Sequence, residues 1–222
     1  ACAVREFVSH VHVGGGSTCV KRSATGDPEK VDTWCWGTND RGQLGTGSAG
    51  ATALRPVLAP KLADVRLSLG GRFGCGTRSG DRVVCWGSNQ YGQVGDGAAA
   101  EQPSPAAVID QTGAELPPAA RFDTGAAHAC AVAHDGRLHC WGYNENGGVG
   151  IGTTANAPRA VPVDLGSGAT GVYLGNYQTC ATTVDRRLLC WGAATDIRLG
   201  INPRMNLTRP TPIPQLEPFV PW

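Results

Sequence analysis

The sequence predicts an all-β repeat protein, a propeller or a solenoid, on three observations. A unit of two cysteines, a turn, Trp-Gly and a glycine-rich tail runs from Cys130 to Gly150. It recurs at Cys75–Gly95 and Cys180–Gly200, with an expanded copy at Cys19–Gly45. The landmarks also keep fixed distances: the second cysteines, Cys35, Cys85, Cys140 and Cys190, are spaced by 50, 55 and 50 residues. Gly14, Gly70, Gly125 and Gly175 each lie five residues before a first cysteine, and Gly45, Gly95, Gly150 and Gly200 each lie nine past a tryptophan. Finally, 32 glycines and 15 prolines suit short strands joined by tight turns. A period of this size means stacked or radially arranged units that bury their faces against one another.

At 222 residues the chain can bury a sizeable core. Continuous repeats argue for one unit over 1–222, divided near 3–63, 64–119, 120–171 and 172–222. Lys and Arg total 19 against 18 Asp and Glu, which removes the main electrostatic ground for a nucleic-acid or anionic-membrane partner. No apolar run reaches the roughly 18 residues that span a bilayer, so no membrane span is expected. Ala1-Cys2-Ala3-Val4 leads straight into a strand-like segment without a signal peptide, so a processed or truncated form is expected.

Nine cysteines are too many for an ordinary cytosolic protein of this size, and none forms the CxxC knuckle of a zinc site. A three-residue turn centred on Asp135 sets Ala133 opposite Arg137, Val132 opposite Leu138, and Cys130 opposite Cys140. The same counting about Gly80 and Asp185 sets Cys75 opposite Cys85 and Cys180 opposite Cys190. Opposed residues on antiparallel strands lie about 4.5–5.5 Å apart at Cα, within disulfide reach. We therefore expect disulfides Cys19–Cys35, Cys75–Cys85, Cys130–Cys140 and Cys180–Cys190, and an extracellular, periplasmic or cell-surface location. The competing reading is four reduced pairs packed as small hydrophobes. Cys2 falls outside the repeat and is expected to be unpaired or intermolecular.

Taken in order, residues 3–14 alternate apolar and polar and read as a strand, matched later by Val65–Gly70, Phe122–Gly125 and Val172–Gly175. The first hairpin encloses 15 residues between its cysteines where the others enclose nine. The extra residues in Lys21–Asp32 are polar and are expected to form a protruding tip. Lys21, Arg22, Asp27, Glu29 and Lys30 are candidate partner contacts there. Each Trp-Gly opens a turn-rich arm in which Asn39, Asn89 and Asn144 brace turns and Gly42, Gly92 and Gly147 take left-handed backbone. Leu44, Val94, Val149 and Leu199 are each arm's core contact. In the fourth arm Ala194 replaces the asparagine and Ile197 the glycine, so that turn should differ. Proline-bearing returns follow (Arg55–Val57, Pro103–Val108, Pro158–Val163, Arg209–Pro214), and their prolines assign them to sheet edges. The longest connection, Ala98–Ala120, is a second candidate contact loop through Glu101, Gln102 and Glu115.

Catalytic and cofactor chemistry finds no carrier. His10 and His12 would face one way on a strand, but no third metal ligand accompanies them. His134 lies in a turn and is expected to be solvated. No nucleophile–base pair repeats, and the glycine-rich tails lack the lysine–serine pair and helix of a phosphate loop. Trp36, Trp86, Trp141 and Trp191 recur at one fixed position and are read as packing between repeats rather than as ligand-stacking groups. Asn206-Leu207-Thr208 matches a glycosylation acceptor.

The order Gly-x4-Cys, hairpin, Trp-Gly-x-Asn-x-x-Gly-Gln-Leu/Val-Gly and proline return resembles the repeat of the regulator of chromosome condensation family. Trp36–Gly45 and Trp86–Gly95 fit it closely. The resemblance implies a β-propeller of four-stranded antiparallel blades. The family's usual ring has seven blades and four repeats supply four, which leaves open a partial ring, a small closed ring, or a half completed by another chain. We lean towards a fragment or a partner-completed ring, because an open arc leaves sheet edges unpaired. The paired cysteines depart from the family's nuclear members, where a histidine and a hydrophobic residue sit near those strands.

Together these point to a secreted or cell-surface β-propeller that binds a protein partner, without catalytic activity, cofactor or metal. The alternatives are a structural subunit of a larger extracellular assembly, with homo- or hetero-oligomers completing the ring, and a guanine-nucleotide exchange regulator.

Overall fold

The structure is a computed structural model and describes residues 8–24, 27–194, 199 and 205–213. Its strands form four four-stranded antiparallel sheets, each taken from one repeat in chain order. Blade 1 contains β1 (Val8–Gly14), β2 (Ser17–Ala24), β3 (Asp27–Gly37) and β4 (Ala53–Leu58). Blade 2 contains β5 (Arg66–Leu69), β6 (Phe73–Arg78), β7 (Arg82–Gly87) and β8 (Gln102–Ala107). Blade 3 contains β9 (Ala119–Thr124), β10 (His128–Ala133), β11 (Leu138–Gly142) and β12 (Ala157–Val163). Blade 4 contains β13 (Ala169–Leu174), β14 (Gln178–Thr183), β15 (Leu188–Gly192) and β16 (Leu207–Pro212). The fourth strand of every sheet carries a proline, where a missing N–H costs no ladder bond.

The first strands stand side by side in the order β1, β5, β9, β13, and so line the propeller axis. Close backbone approach explains the glycine that ends each of them. A Cβ on Gly14 would meet the Leu69 carbonyl oxygen at 2.4 Å, and one on Gly125 would meet that of Gly175 at 2.4 Å.

Disulfides join the two middle strands of every blade: Cys19–Cys35, Cys75–Cys85, Cys130–Cys140 and Cys180–Cys190. Each pair is directly opposed in the ladder. Replacing Cys130 and Cys140 together with serine is expected to lower unfolding free energy by about 3 kcal/mol, from the loop-closure entropy of a short loop. Urea unfolding measures it, and an unchanged midpoint would show that this cross-link contributes nothing to stability.

Consecutive blades share one core. One cluster joins Cys19, Cys35, Leu44 and Leu62 of blade 1 to Leu67, Leu69, Val84 and Trp86 of blade 2. The same pattern links blades 2 and 3 through Phe73, Val94 and Trp141, and blades 3 and 4 through Val149, Val172 and Trp191. Each sheet thus has a forward side, carrying the disulfide and the arm residue, and a backward side, carrying the tryptophan. A small separate cluster of Cys190, Ala194, Leu199 and Ile213 lies on the forward side of blade 4.

The first hairpin is longer than the others. Its additional residues lengthen the ladder rather than forming a long loop, with Lys21 opposite Thr33, Arg22 opposite Asp32 and Ser23 opposite Val31. Lys21 and Arg22 therefore lie within β2. The side chains of Asp27, Glu29 and Lys30, and all of Cys2, lie outside the described residues.

Candidate protein-binding surfaces

The joint between blades is built from backbone as much as from side chains. The indoles of Trp86, Trp141 and Trp191 are fully buried. Each donates its Nε1–H to a backbone carbonyl of the preceding arm: Gln43 at 3.0 Å, Gln93 at 3.0 Å and Gly148 at 2.8 Å. The glycine two residues further on gives the ring its room, since a Cβ on Gly95 would meet Trp141 at 2.9 Å. The arms are braced by their asparagines. Oδ1 of Asn39, Asn89 and Asn144 accepts from the N–H of Leu44, Val94 and Val149, and each Nδ2 donates to carbonyls beyond the arm.

One joint carries a buried histidine. His128 is fully buried, with Nε2 2.9 Å from Thr179 Oγ1. The Thr179 hydroxyl donates to the Gly148 carbonyl at 2.8 Å, so His128 must donate through Nε2–H, leaving Nδ1 as an acceptor without a partner among the described residues. Burial lowers its pKa to about 4.

On this rigid frame three tyrosines from successive blades meet on the arm side. Tyr143 contacts Tyr91 edge-on with centroids 5.0 Å apart, and Tyr177 at a tilt with centroids 5.4 Å apart. All three are partly exposed. The Tyr143 hydroxyl accepts from Asn146 Nδ2 at 3.3 Å and donates to Glu145 at 3.4 Å. Burial first, then the charges of Glu145 and Tyr177, push its phenol pKa up, so it stays a neutral donor. Rigid aromatic groups with a polar tip, clustered and part-exposed, are the side chains that anchor protein interfaces.

A second concavity, about 900 Å3, opens along the axis between β1, β5 and β9. His10 and His12 stack in it at 6.2 Å, facing one way as their spacing requires, with Lys21, Asp64, Arg66 and Asp123 around them. Burial, then His10 and Lys21, holds His12 below the ordinary imidazole range. Ser9 Oγ lies 3.1 Å from His10 Nδ1, but no carboxylate orients that ring among the described residues. No group of three or more metal-ligating side chains occurs among them either.

The other contact candidates are scattered. Lys21 Nζ donates to the Ala63 carbonyl at 2.9 Å, and Arg22 lies over the Trp34 ring at 5.4 Å. Glu101 pairs with Arg41, and Gln102 donates to Asp96, both at the arm side. Glu115 pairs with Arg82 at the opposite end of blade 2. His134 is exposed and bonds Asp81 at 2.9 Å. Asn206, in the glycosylation motif, is engaged at both amide atoms: Oδ1 accepts from the Ala194 N–H and Nδ2 donates to Asn146.

Residues 65–93, 121–147 and 135–182 match the regulator of chromosome condensation (RCC1) repeat. Those segments carry RCC1 repeats. Yeast RCC1 (Prp20), in its complex with Kap60, superposes with a TM-score of 0.77 at 19% identity, covering 96% of this chain and 50% of that one. Prp20p from Saccharomyces cerevisiae, in a study of its binding to Gsp1p and histones, gives a TM-score of 0.73 at 20% identity over 93% of this chain and 50% of that one. The ectodomain of the Physcomitrella patens receptor kinase CR4 gives a TM-score of 0.50 at 20% identity over 86% of this chain and 42% of that one. The fold is accordingly the RCC1-type β-propeller, and the chain spans about half the length of the structures it matches.

Two features of these RCC1 repeats escape a reading by repeat position. Tyr91 lies in the middle of an arm, Tyr143 directly after a Trp-Gly and Tyr177 before a first cysteine, so no periodicity flags them as one surface. Position His128 is Phe73 in blade 2 and Gln178 in blade 4, and no fixed residue type marks it as buried.

Proposed function

We propose that this chain is a single propeller unit acting as a protein-binding module outside the reducing cytosol, secreted, periplasmic or at the cell surface, without catalytic activity. The observation that carries this reading is the tyrosine cluster Tyr91–Tyr143–Tyr177 on a disulfide-tied scaffold. Four disulfides suit an oxidising compartment. The partners of the matched structures, Kap60, Gsp1p and histones, are proteins, and one match is a receptor ectodomain. Near-neutral charge supports a protein partner over nucleic acid.

Capture from secreted and surface fractions under non-reducing conditions tests it. The intact protein is expected to retain a partner, and Tyr143→Ala to weaken that binding about tenfold or more, as truncation of an interface anchor does. Full binding by Tyr143→Ala, with loss on changing Glu115 or the lengthened first hairpin, would move the surface to the other end. Capture of nothing would count against the reading.

A structural-subunit reading draws on the exposed Val11 and Val13 on the backward side of blade 1. The nucleotide-exchange reading is the least supported, since reducing conditions would open the disulfides.

A further inference from the structure

One repeat position decides how far each joint is covered on the arm side. Arg72, Ala127 and Tyr177 are equivalent there, because the carbonyl of each accepts the N–H that follows a Trp-Gly, from Ser88, Tyr143 and Ala193. Arg72 reaches back to Asp40 of blade 1 at 3.2 Å. Tyr177 reaches back to Tyr143 of blade 3. Ala127 has only a methyl group, which cannot reach back, and Gln90, the counterpart of Asp40, is exposed. The joint between blades 2 and 3 is thus left uncovered beside Tyr91 and Tyr143.

The three rings span roughly 10 Å, about one turn of a polyproline II helix at three residues of 3.1 Å each. Neighbouring rings meet at 71° and 52°, so they form ridges rather than one flat platform. Prolines seat between such aromatic ridges, whereas a sugar ring stacks on a flat exposed face. An added β-strand would need free backbone, and here it is spent. The N–H of Tyr91 goes to Gln93 Oε1 at 2.9 Å, that of Tyr143 to the Ala127 carbonyl at 2.9 Å, and that of Tyr177 to Gln178 Oε1 at 3.3 Å. What remains on offer is ring surface and the hydroxyls of Tyr91 and Tyr177, which make no bond among the described residues. A polyproline II segment has no internal hydrogen bonds, so its carbonyls are free to accept from them. Charge sets the flank. Glu145, exposed beside Tyr143, pairs with no cation among the described residues, while Arg41 and Arg72 are paired with Glu101 and Asp40.

We propose that Tyr91, Tyr143 and Tyr177 bind a proline-rich segment of a protein partner in polyproline II conformation, with a basic residue of that segment against Glu145. The segment crosses the joint between blades 2 and 3 at Ala127. Both sides are rigid before they meet, the rings on disulfide-tied blades and the segment through its prolines, which limits the entropy lost on binding. This rests on the reading of the tyrosine cluster as the partner surface and names the partner's chemistry.

Fluorescence anisotropy of a labelled peptide, one arginine followed by eight prolines, tests it on the full chain. Saturable binding with Kd below about 1 mM is expected, and none for a glycine–serine peptide that keeps the arginine. Tyr143→Ala should weaken binding about tenfold or more, and Tyr91→Phe, which keeps the ring, by roughly three- to tenfold through the lost hydroxyl bond. Ala127→Arg should abolish binding in a chain with an unchanged urea midpoint, because blade 2 already carries Arg72 at that position. Arginine in the peptide should bind roughly 1.5- to 5-fold tighter than glutamine, and Glu145→Gln should erase that difference. No saturable binding, equal binding of the glycine–serine peptide, or full binding by both Tyr143→Ala and Ala127→Arg would each overturn the proposal. So would binding of cellohexaose in place of the peptide, which would mark the rings as a sugar platform. If Tyr143→Ala abolishes capture of a partner while the proline peptide fails to bind, the protein-binding reading stands and this one falls. Peptide binding lost in Tyr143→Ala, with no partner captured, leaves this one standing.

Discussion

Trp141→Ala is expected to destabilise the protein by about 3–5 kcal/mol, the cost of emptying a fully buried large aromatic site. Trp141 is at 0% exposure in the core shared by blades 2 and 3. Its loss leaves a cavity over Gly95 and Val108 and orphans the Gln93 carbonyl that the indole satisfies. A domain's whole stability is about 5–15 kcal/mol, so this joint is a large share of it. Trp36→Ala removes a side chain already half in water and should cost less than half as much. Chemical unfolding of both variants checks the comparison. Equal losses would show that the tryptophans act within their own blades rather than between them.

The second large effect is acid sensitivity. His128 holds its neutral form in the folded chain with a pKa lowered to about 4, against 6.5 when unfolded. Below pH 6.5 the unfolded chain binds a proton there that the folded chain refuses, so stability must fall as pH drops. The contribution is complete above pH 6.5, declines towards pH 4 and is then exhausted, with a total of roughly 3 kcal/mol. The lowered carboxyls of Asp110, Asp135 and Asp185 titrate below 3.8, outside this window. His139, held down first by burial and then by Arg137, adds to the slope with the same sign. Urea midpoints between pH 7 and pH 4.5 should therefore fall steeply. His128→Gln can still donate to Thr179 and should flatten most, not all, of that fall. An equally steep fall in the variant would move the effect to other groups.

Much of this architecture is readable in the chain because its landmarks answer to strict geometric demands. Opposed positions on a hairpin fixed the cysteine register, and a missing N–H placed Pro103, Pro158 and Pro210 on edge strands. Close backbone contact dictated Gly14 and Gly125. What escaped was whatever the repeat does not determine. The polar run after Cys19 reads as a loop by composition, yet Lys21–Thr33 and Arg22–Asp32 pair as a ladder, because paired backbone tolerates polar side chains on an exposed sheet. The tyrosine cluster arises only when unlike positions of three repeats are brought together around the axis. Conversely, Trp36 looks identical to its three counterparts in sequence. It differs in the structure because its environment belongs to a neighbouring blade.

The indole-to-carbonyl couplings of Trp86, Trp141 and Trp191 address the main chain of the preceding arm, and the ring needs only a glycine beside it. Such a coupling ignores which side chains the arm displays. Gln43, Gln93 and Gly148 serve equally, although glycine differs from glutamine in size and polarity. Blades are in this sense interchangeable parts. A duplicated or transplanted unit would meet the same fitting at either end, leaving its outward residues free to diversify without disturbing assembly.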